Sequence, residues 1–204
     1  LAGGGSLLAV PLLMWFGLPA IEAAATSRPA IVFQNIVAIL SFRQRGVYQA
    51  GLGRRAFYLG LVTVPGAILG SWVLASHVSG DVFERILGGV MVAVALVTWR
   101  RRGQEAPSSV STSTWVLLAL FGLVGLYGGF IQAGVGFVIM AVLFHAGSGQ
   151  STAQVNAIKV CVVLMFCLTG VVVLALSGKI HPLPAVCLAV GQGLGGYVGA
   201  RLSI

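Results

Sequence analysis

The chain has 204 residues, 58% of them apolar and only 8% charged, with a mean hydropathy of +1.01 and a formal charge of +8. Water-soluble domains carry roughly 25% charged residues, so this composition excludes a soluble fold and implies an all-α, polytopic transmembrane helical bundle. A pI near 10.3 could point to nucleic acid, but Lys and Arg lie in short groups between apolar runs and not on one polar face, which excludes that partner.

The chain opens on Leu1-Ala2-Gly3-Gly4-Gly5 with no charged n-region, so nothing there reads as a signal peptide and residues are expected to be missing before it. Charged residues then punctuate the apolar runs. A first span is predicted at 5–17 and a second at 20–41, interrupted by Glu22 and Arg28. Spans at 56–76 and 82–99 follow, bounded by Arg43, Arg45, Arg54 and Arg55 before and by Arg100, Arg101 and Arg102 after. A Ser/Thr-rich stretch, 103–113, reads as a polar linker between halves.

The segment 114–147 is uncharged and would make about 51 Å of helix at about 1.5 Å per residue, too long for one straight crossing and too short for two. Its middle, Tyr127-Gly128-Gly129-Phe130-Ile131-Gln132-Ala133-Gly134-Val135-Gly136, predicts a broken or re-entrant helix. Spans at 153–176 and 183–203 complete the chain. If 114–147 crosses once, the positive-inside rule puts the two arginine-rich loops and Lys179 on one side, with Arg85 and Arg201 near the other.

Landmarks recur in order. Gly3-Gly4-Gly5 matches Gly134-Val135-Gly136, Thr26-Ser27-Arg28 matches Asn156-Ala157-Ile158-Lys159, and Gly66 to Val73 matches Gly191 to Val198. The whole chain then reads as one transporter-like domain, 1–204, of two structural repeats, 1–102 and 114–204, each with a glycine-broken helix and incomplete at the outer ends.

Arg28 and Lys159 each lie about 12 Å into a span, where a cation costs at least about 2.5 to 3.5 kcal/mol and faces a cavity or a partner. Snorkelling or a structural bond to backbone carbonyls is the bland alternative. Two cations at matching positions, with Glu22 the one acid nearby, favour an anion site. Thr26, Ser27 and Asn156 can donate hydrogen bonds to an oxyanion, and Gly3, Gly4, Gly5, Gly134 and Gly136 can open helix N-termini toward it. Gln34, Asn35, Gln132 and Gln154 are candidate lining residues, with interhelical hydrogen bonding as the other explanation. Gly66/Gly70 and Gly191/Gly195 have GxxxG spacing and read as packing sites.

His145 could titrate but reads as structural. Cys161, Cys167 and Cys187 sit in apolar stretches with no ligand spacing, so neither a disulfide nor a metal is expected. No GxSxG elbow and no Walker A motif occur, which argues against an enzyme and against ATP-driven transport by this chain.

The run Gly3-Gly4-Gly5-Ser6-Leu7-Leu8-Ala9-Val10-Pro11-Leu12-Leu13, then Gly17-Leu18-Pro19 and Ala24-Ala25-Thr26-Ser27-Arg28, resembles the first repeat of the TauE/SafE family of sulfite and sulfonate exporters. Val155-Asn156-Ala157-Ile158-Lys159 resembles its second. Val135 interrupts the second glycine run, and the family's final span is missing. The resemblance implies a multi-pass carrier in a bacterial inner membrane for sulfite, thiosulfate or organosulfonates, working by alternating access without a bound cofactor. The expected partners are a small anionic substrate and the lipid bilayer, with a homodimer as the assembly to test. A passive anion channel and a non-transporting membrane scaffold remain the alternatives.

Overall fold

A computed structural model describes residues 5–48, 51–100, 113–146 and 150–202. Its elements are helices: α1 (Gly5–Trp15), α2 (Ala20–Gln44), α3 (Leu52–Ser76), α4 (Gly80–Arg100), α5 (Thr114–Phe130), α6 (Val135–His145), α7 (Thr152–Leu176) and α8 (Pro182–Leu202). Among the described residues, α2, α3, α7 and α8 are long and apolar enough to cross a membrane, whereas α5 and α6 are shorter apolar helices. The predicted breaks coincide with helix ends to within a few residues. Gly3, Gly4 and nearly all of the linker 103–113 lie outside the described residues.

Cross-chain contacts fix the directions. His181, between α7 and α8, bonds to Thr26 and Glu22 near the start of α2, while Tyr48, just past the end of α2, bonds to Ala157 near the start of α7. Helices α2 and α7 are therefore antiparallel, with α8 alongside α2 and α3 alongside α7. Each connection marks one end of the bundle, the His181 end and the Tyr48 end.

Helix α5 runs beside α3 in the same direction. Gly125 abuts the Thr63 backbone, Gly129 that of Ala67, Gly66 that of Gly122 and Leu126, and Gly70 that of Leu126 and Phe130. A Cβ on any of the four would collide with backbone, so the close α3–α5 approach depends on small residues on both faces. This agrees with the packing role expected of Gly66 and Gly70. In α8, by contrast, a Cβ on Gly191 or Gly195 meets nothing, and the glycines against α2 are Gly193, facing Phe33, and Gly196, facing Gln34. The GxxxG spacing therefore names the wrong glycines there, because α8 turns its 193/196 face to its neighbour.

Chain direction reverses after α5. Tyr127 accepts from the N–H groups of both Ile131 and Gln132, its hydroxyl donates to the Ala133 carbonyl, and Gln132 and Gly134 take left-handed conformations, φ 63° and 72°. Ile131 and Ala133 pack in the cluster at the His181 end, with Ala20 to Ala25 and Leu174. Val135, Ile139 and Leu143 pack back toward Phe42, Leu52 and Val155. The pair α5–α6 is thus a re-entrant hairpin that starts and finishes at the Tyr48 end. The single crossing of 114–147 is not realised, so Lys179 lies at the end opposite Arg43 and Arg45. Arg201, at the far end of α8, joins those arginines at the Tyr48 end.

Helix α7 begins with a capping box in which Ser151 Oγ accepts from the Gln154 N–H and Gln154 Oε1 accepts from the Ser151 N–H. Gln154 is therefore a helix cap and not a lining residue. Ser151→Ala should lower stability by about 1 kcal/mol, read as an earlier thermal unfolding midpoint in detergent.

Candidate functional site

Two buried cations stand at different depths. Arg28 is the ninth residue of α2, about 12 Å from the His181 end, and its side chain is fully buried. Its guanidinium donates from Nη1 to Ser71 Oγ at 3.0 Å and from Nη2 to the Gly129 carbonyl, while Ser71 Oγ also donates to that carbonyl at 3.0 Å. Nε has no partner. Gly170 of α7 lies directly against Nη1, where any side chain would push the guanidinium aside. Four helices thus meet on this one group: α2 carries it, α3 and α5 accept from it, and α7 makes room.

Lys159 is the eighth residue of α7, about 10 Å from the Tyr48 end, and is 5% exposed. Its Nζ donates to Asn156 Oδ1 at 2.7 Å and lies 3.9 Å from Met140 Sδ of α6. The ammonium is drawn toward the start of α7, away from Gly170. Since Gly170 marks the level of Arg28 and lies eleven residues beyond Lys159, the two cations are about 16 Å apart along α7.

Neither cation faces a carboxylate. Among the described residues the one ion pair is His181–Glu22, at the bundle end. An isolated buried charge costs several kcal/mol after relaxation, and neutral hydroxyl, amide and carbonyl groups offset only part of that. The interior therefore holds positive charge with no fixed counter-charge.

The other candidates distribute as follows. Thr26 is buried and accepts the His181 N–H at 3.0 Å, and Ser27 donates to the Ala24 carbonyl of its own helix at 2.9 Å. Pro29 supplies no N–H to the Ala25 carbonyl, one turn from Arg28. Asn35 donates to the Ile31 carbonyl at 2.7 Å, and Gln34 packs on Gly196. Gln132, at the hairpin tip, is 4% exposed with neither amide atom hydrogen-bonded. Gly134 caps the start of α6, and Gly136, its second residue, is buried. Gly5 opens α1, and His145 is exposed at the end of α6.

Sequence reasoning missed Ser71, Gly129 and Gly170 as neighbours of Arg28, and Tyr48 and His181 as cross-bundle contacts. The Gly70-Ser71 pair inside a repeat landmark was the available signal for the first; the others had none, because their partners are remote in sequence. Tyr48 donates to the Ala157 carbonyl at 2.8 Å, and burial, with the Cys161 thiol nearby, pushes its phenol above the ordinary range, so it stays protonated.

The chain is similar to known membrane proteins along its whole length. A family model described as sulfite exporter TauE/SafE matches residues 1–204. A protein of Sinorhizobium sp named probable membrane transporter protein ORF9 is 27% identical over 213 residues, an alignment covering 100% of this chain and 77% of the relative. The probable membrane transporter protein YfcA of Escherichia coli (strain K12) is 28% identical over 204 residues, covering 99% and 74% respectively. No solved structure matches the chain.

Proposed function

The chain belongs to the sulfite exporter TauE/SafE family, and from that premise we propose that it is a secondary carrier of small sulfur-containing anions such as sulfite, thiosulfate or organosulfonates. The observation that carries the reading is the pair of buried cations, Arg28 and Lys159, with no carboxylate facing either. A mobile anion is the counter-charge that this interior lacks, and at about 4 Å in an effective dielectric of about 20 its attraction to one cation is about 4 kcal/mol.

The antiparallel course of α2 and α7 supports two repeats of inverted topology, with Arg28 and Lys159 in corresponding places at opposite depths. Such repeats, with broken helices near the centre, suit alternating access by rocking of one half against the other. On this reading the anion meets Lys159 with Asn156 when the Tyr48 end is open and Arg28 with Thr26 and Ser27 when the His181 end is open. The hairpin tip, with the unpaired Gln132 amide and the start of α6 behind Gly134 and Gly136, lies just beyond Arg28 toward the His181 end. Gly3, Gly4 and Gly5 would hold the matching place in the first half. The arginines at the Tyr48 end support that end as the inside, and the Escherichia coli relative supports a bacterial inner membrane as the location.

Reconstituted protein should exchange labelled sulfite, thiosulfate or sulfoacetate with saturation and counterflow. Ohmic single-channel currents would instead make it a pore, and no flux or binding of any of the three would remove the substrate assignment. Lys159→Met, which keeps side-chain volume and removes charge, should reduce exchange at least tenfold.

A further inference from the structure

At each of the two bundle ends a connection is pinned across to the other half, and the pins correspond. In the α2–α3 connection, Tyr48 donates to the Ala157 carbonyl, two residues before Lys159. In the α7–α8 connection, His181 donates its backbone N–H to Thr26, two residues before Arg28, and its Nε2 lies 2.6 Å from Glu22 Oε2. Each pin lies between its cation and the nearer bundle end. The pins differ in chemistry: one is a phenol on a carbonyl, the other an imidazole on a carboxylate.

Resting on the carrier reading, we infer that His181 and Glu22 form a proton-binding site that holds the His181 end shut when occupied. A protonated imidazole makes an ion pair with the carboxylate, whereas the neutral ring offers it one hydrogen bond and no charge. The side chains of His181 and Glu22 are 48% and 29% exposed, so protons reach them from that side of the membrane. The Tyr48 pin carries no such group. Proton binding at one end therefore shifts the equilibrium toward the conformation open at the other, which couples a proton to the direction of access. The other ionisable groups at this end are Lys179 in the same connection, His77 at the end of α3, where it packs on Trp72, Asp81, Glu84 and Arg85 in the first turns of α4, and Tyr127 under the hairpin tip, whose hydroxyl donates to the Ala133 carbonyl. Helix α1 and the first turns of α8 carry none.

The test reads access and not flux. With Cys161, Cys167 and Cys187 replaced by Ala in the full chain, the near-isosteric Ser27→Cys serves as a buried probe beneath the pin. Labelling of reconstituted protein by a membrane-impermeant maleimide, corrected for reagent reactivity with a free thiol, should be several-fold slower at pH 5.5 than at pH 8. His181→Gln and Glu22→Gln should label fast at both values. His181→Lys, which keeps a cation against Glu22, should label slowly at both, a gain of closure that misfolding would not produce. Tyr48→Phe should retain the pH dependence. Equal rates at the two pH values in the parent, or a persistent dependence in the Gln variants, would overturn the assignment. Because no substrate enters the assay, a pH-gated probe in a protein that moves none of the three sulfur anions would retain the gate and discard the substrate, and the converse result would do the reverse.

Discussion

Arg28→Met should reduce sulfur-anion exchange at least 100-fold while leaving the thermal unfolding midpoint of the ligand-free protein unchanged or raised. The charge is what transport requires: losing about 2.7 kcal/mol of attraction at the site is enough for a factor of 100, and the expected single-contact energy exceeds that. Stability responds differently because this cation has no counter-charge to leave stranded. Once the guanidinium is gone, Ser71 still donates to the Gly129 carbonyl, so the acceptor stays satisfied, and methionine fills most of the space. Arg28→Ala should lose transport equally but also lose about 2 to 5 kcal/mol of stability, through the cavity left where four helices meet. Saturating anion, at about 100 times its dissociation constant, should stabilise the parent by about 2.7 kcal/mol and the Met variant by far less. A Met variant that unfolds several kcal/mol more easily yet still binds anion would make Arg28 a strut between helices.

Gly129→Val should damage packing and transport together. Any Cβ at this position meets the oxygen, Cα and carbonyl carbon of Ala67, which cannot rotate away as a side chain would, so α5 must move off α3. Overpacking of this kind costs about 1 to 3 kcal/mol and more where backbone is involved. The displacement also withdraws the carbonyl that accepts from both Arg28 and Ser71, so anion exchange and stability should fall together. Gly122→Ala, two turns earlier on the same helix with open space beside its Cα, is the control. It should keep full exchange and stabilise by up to about 1 kcal/mol through helix propensity. Comparable loss in both variants, measured by thermal unfolding and exchange, would mean that α5 tolerates no side chain anywhere and that the Ala67 contact is not special.

Much of this was legible before any fold was known. Apolar runs between Glu22, Arg43, Arg54, Asp81, Arg100 and Lys179 marked the helices, and the Gly/Gln cluster from Gly128 to Gly136 marked the break. Burial of Arg28 and Lys159 followed from counting residues into a span. The failures have one character. Gln154 reads from the sequence as a lining or interhelically bonded residue, although Ser151 three positions earlier forms a capping box with it. Gly191 and Gly195 were chosen by spacing, although the rotation of α8 about its axis, which spacing does not record, presents Gly193 and Gly196 to α2.

Hydropathy and charge act along the chain: a helix of about 20 apolar residues is driven into hydrocarbon whatever lies beside it. The sequence by itself therefore determined the membrane class, the helices, the break in 114–147 and the presence of two cations at depth. Whether α5–α6 crosses or turns back was decided by docking onto α3 through Gly66, Gly70, Gly125 and Gly129, contacts between segments some sixty residues apart. That docking moves Lys179 to the opposite end and sets α2 antiparallel to α7. Only the tertiary structure could place Arg28 against Ser71, Gly129 and Gly170, hold it about 16 Å from Lys159, and pin each end with a residue from the other half.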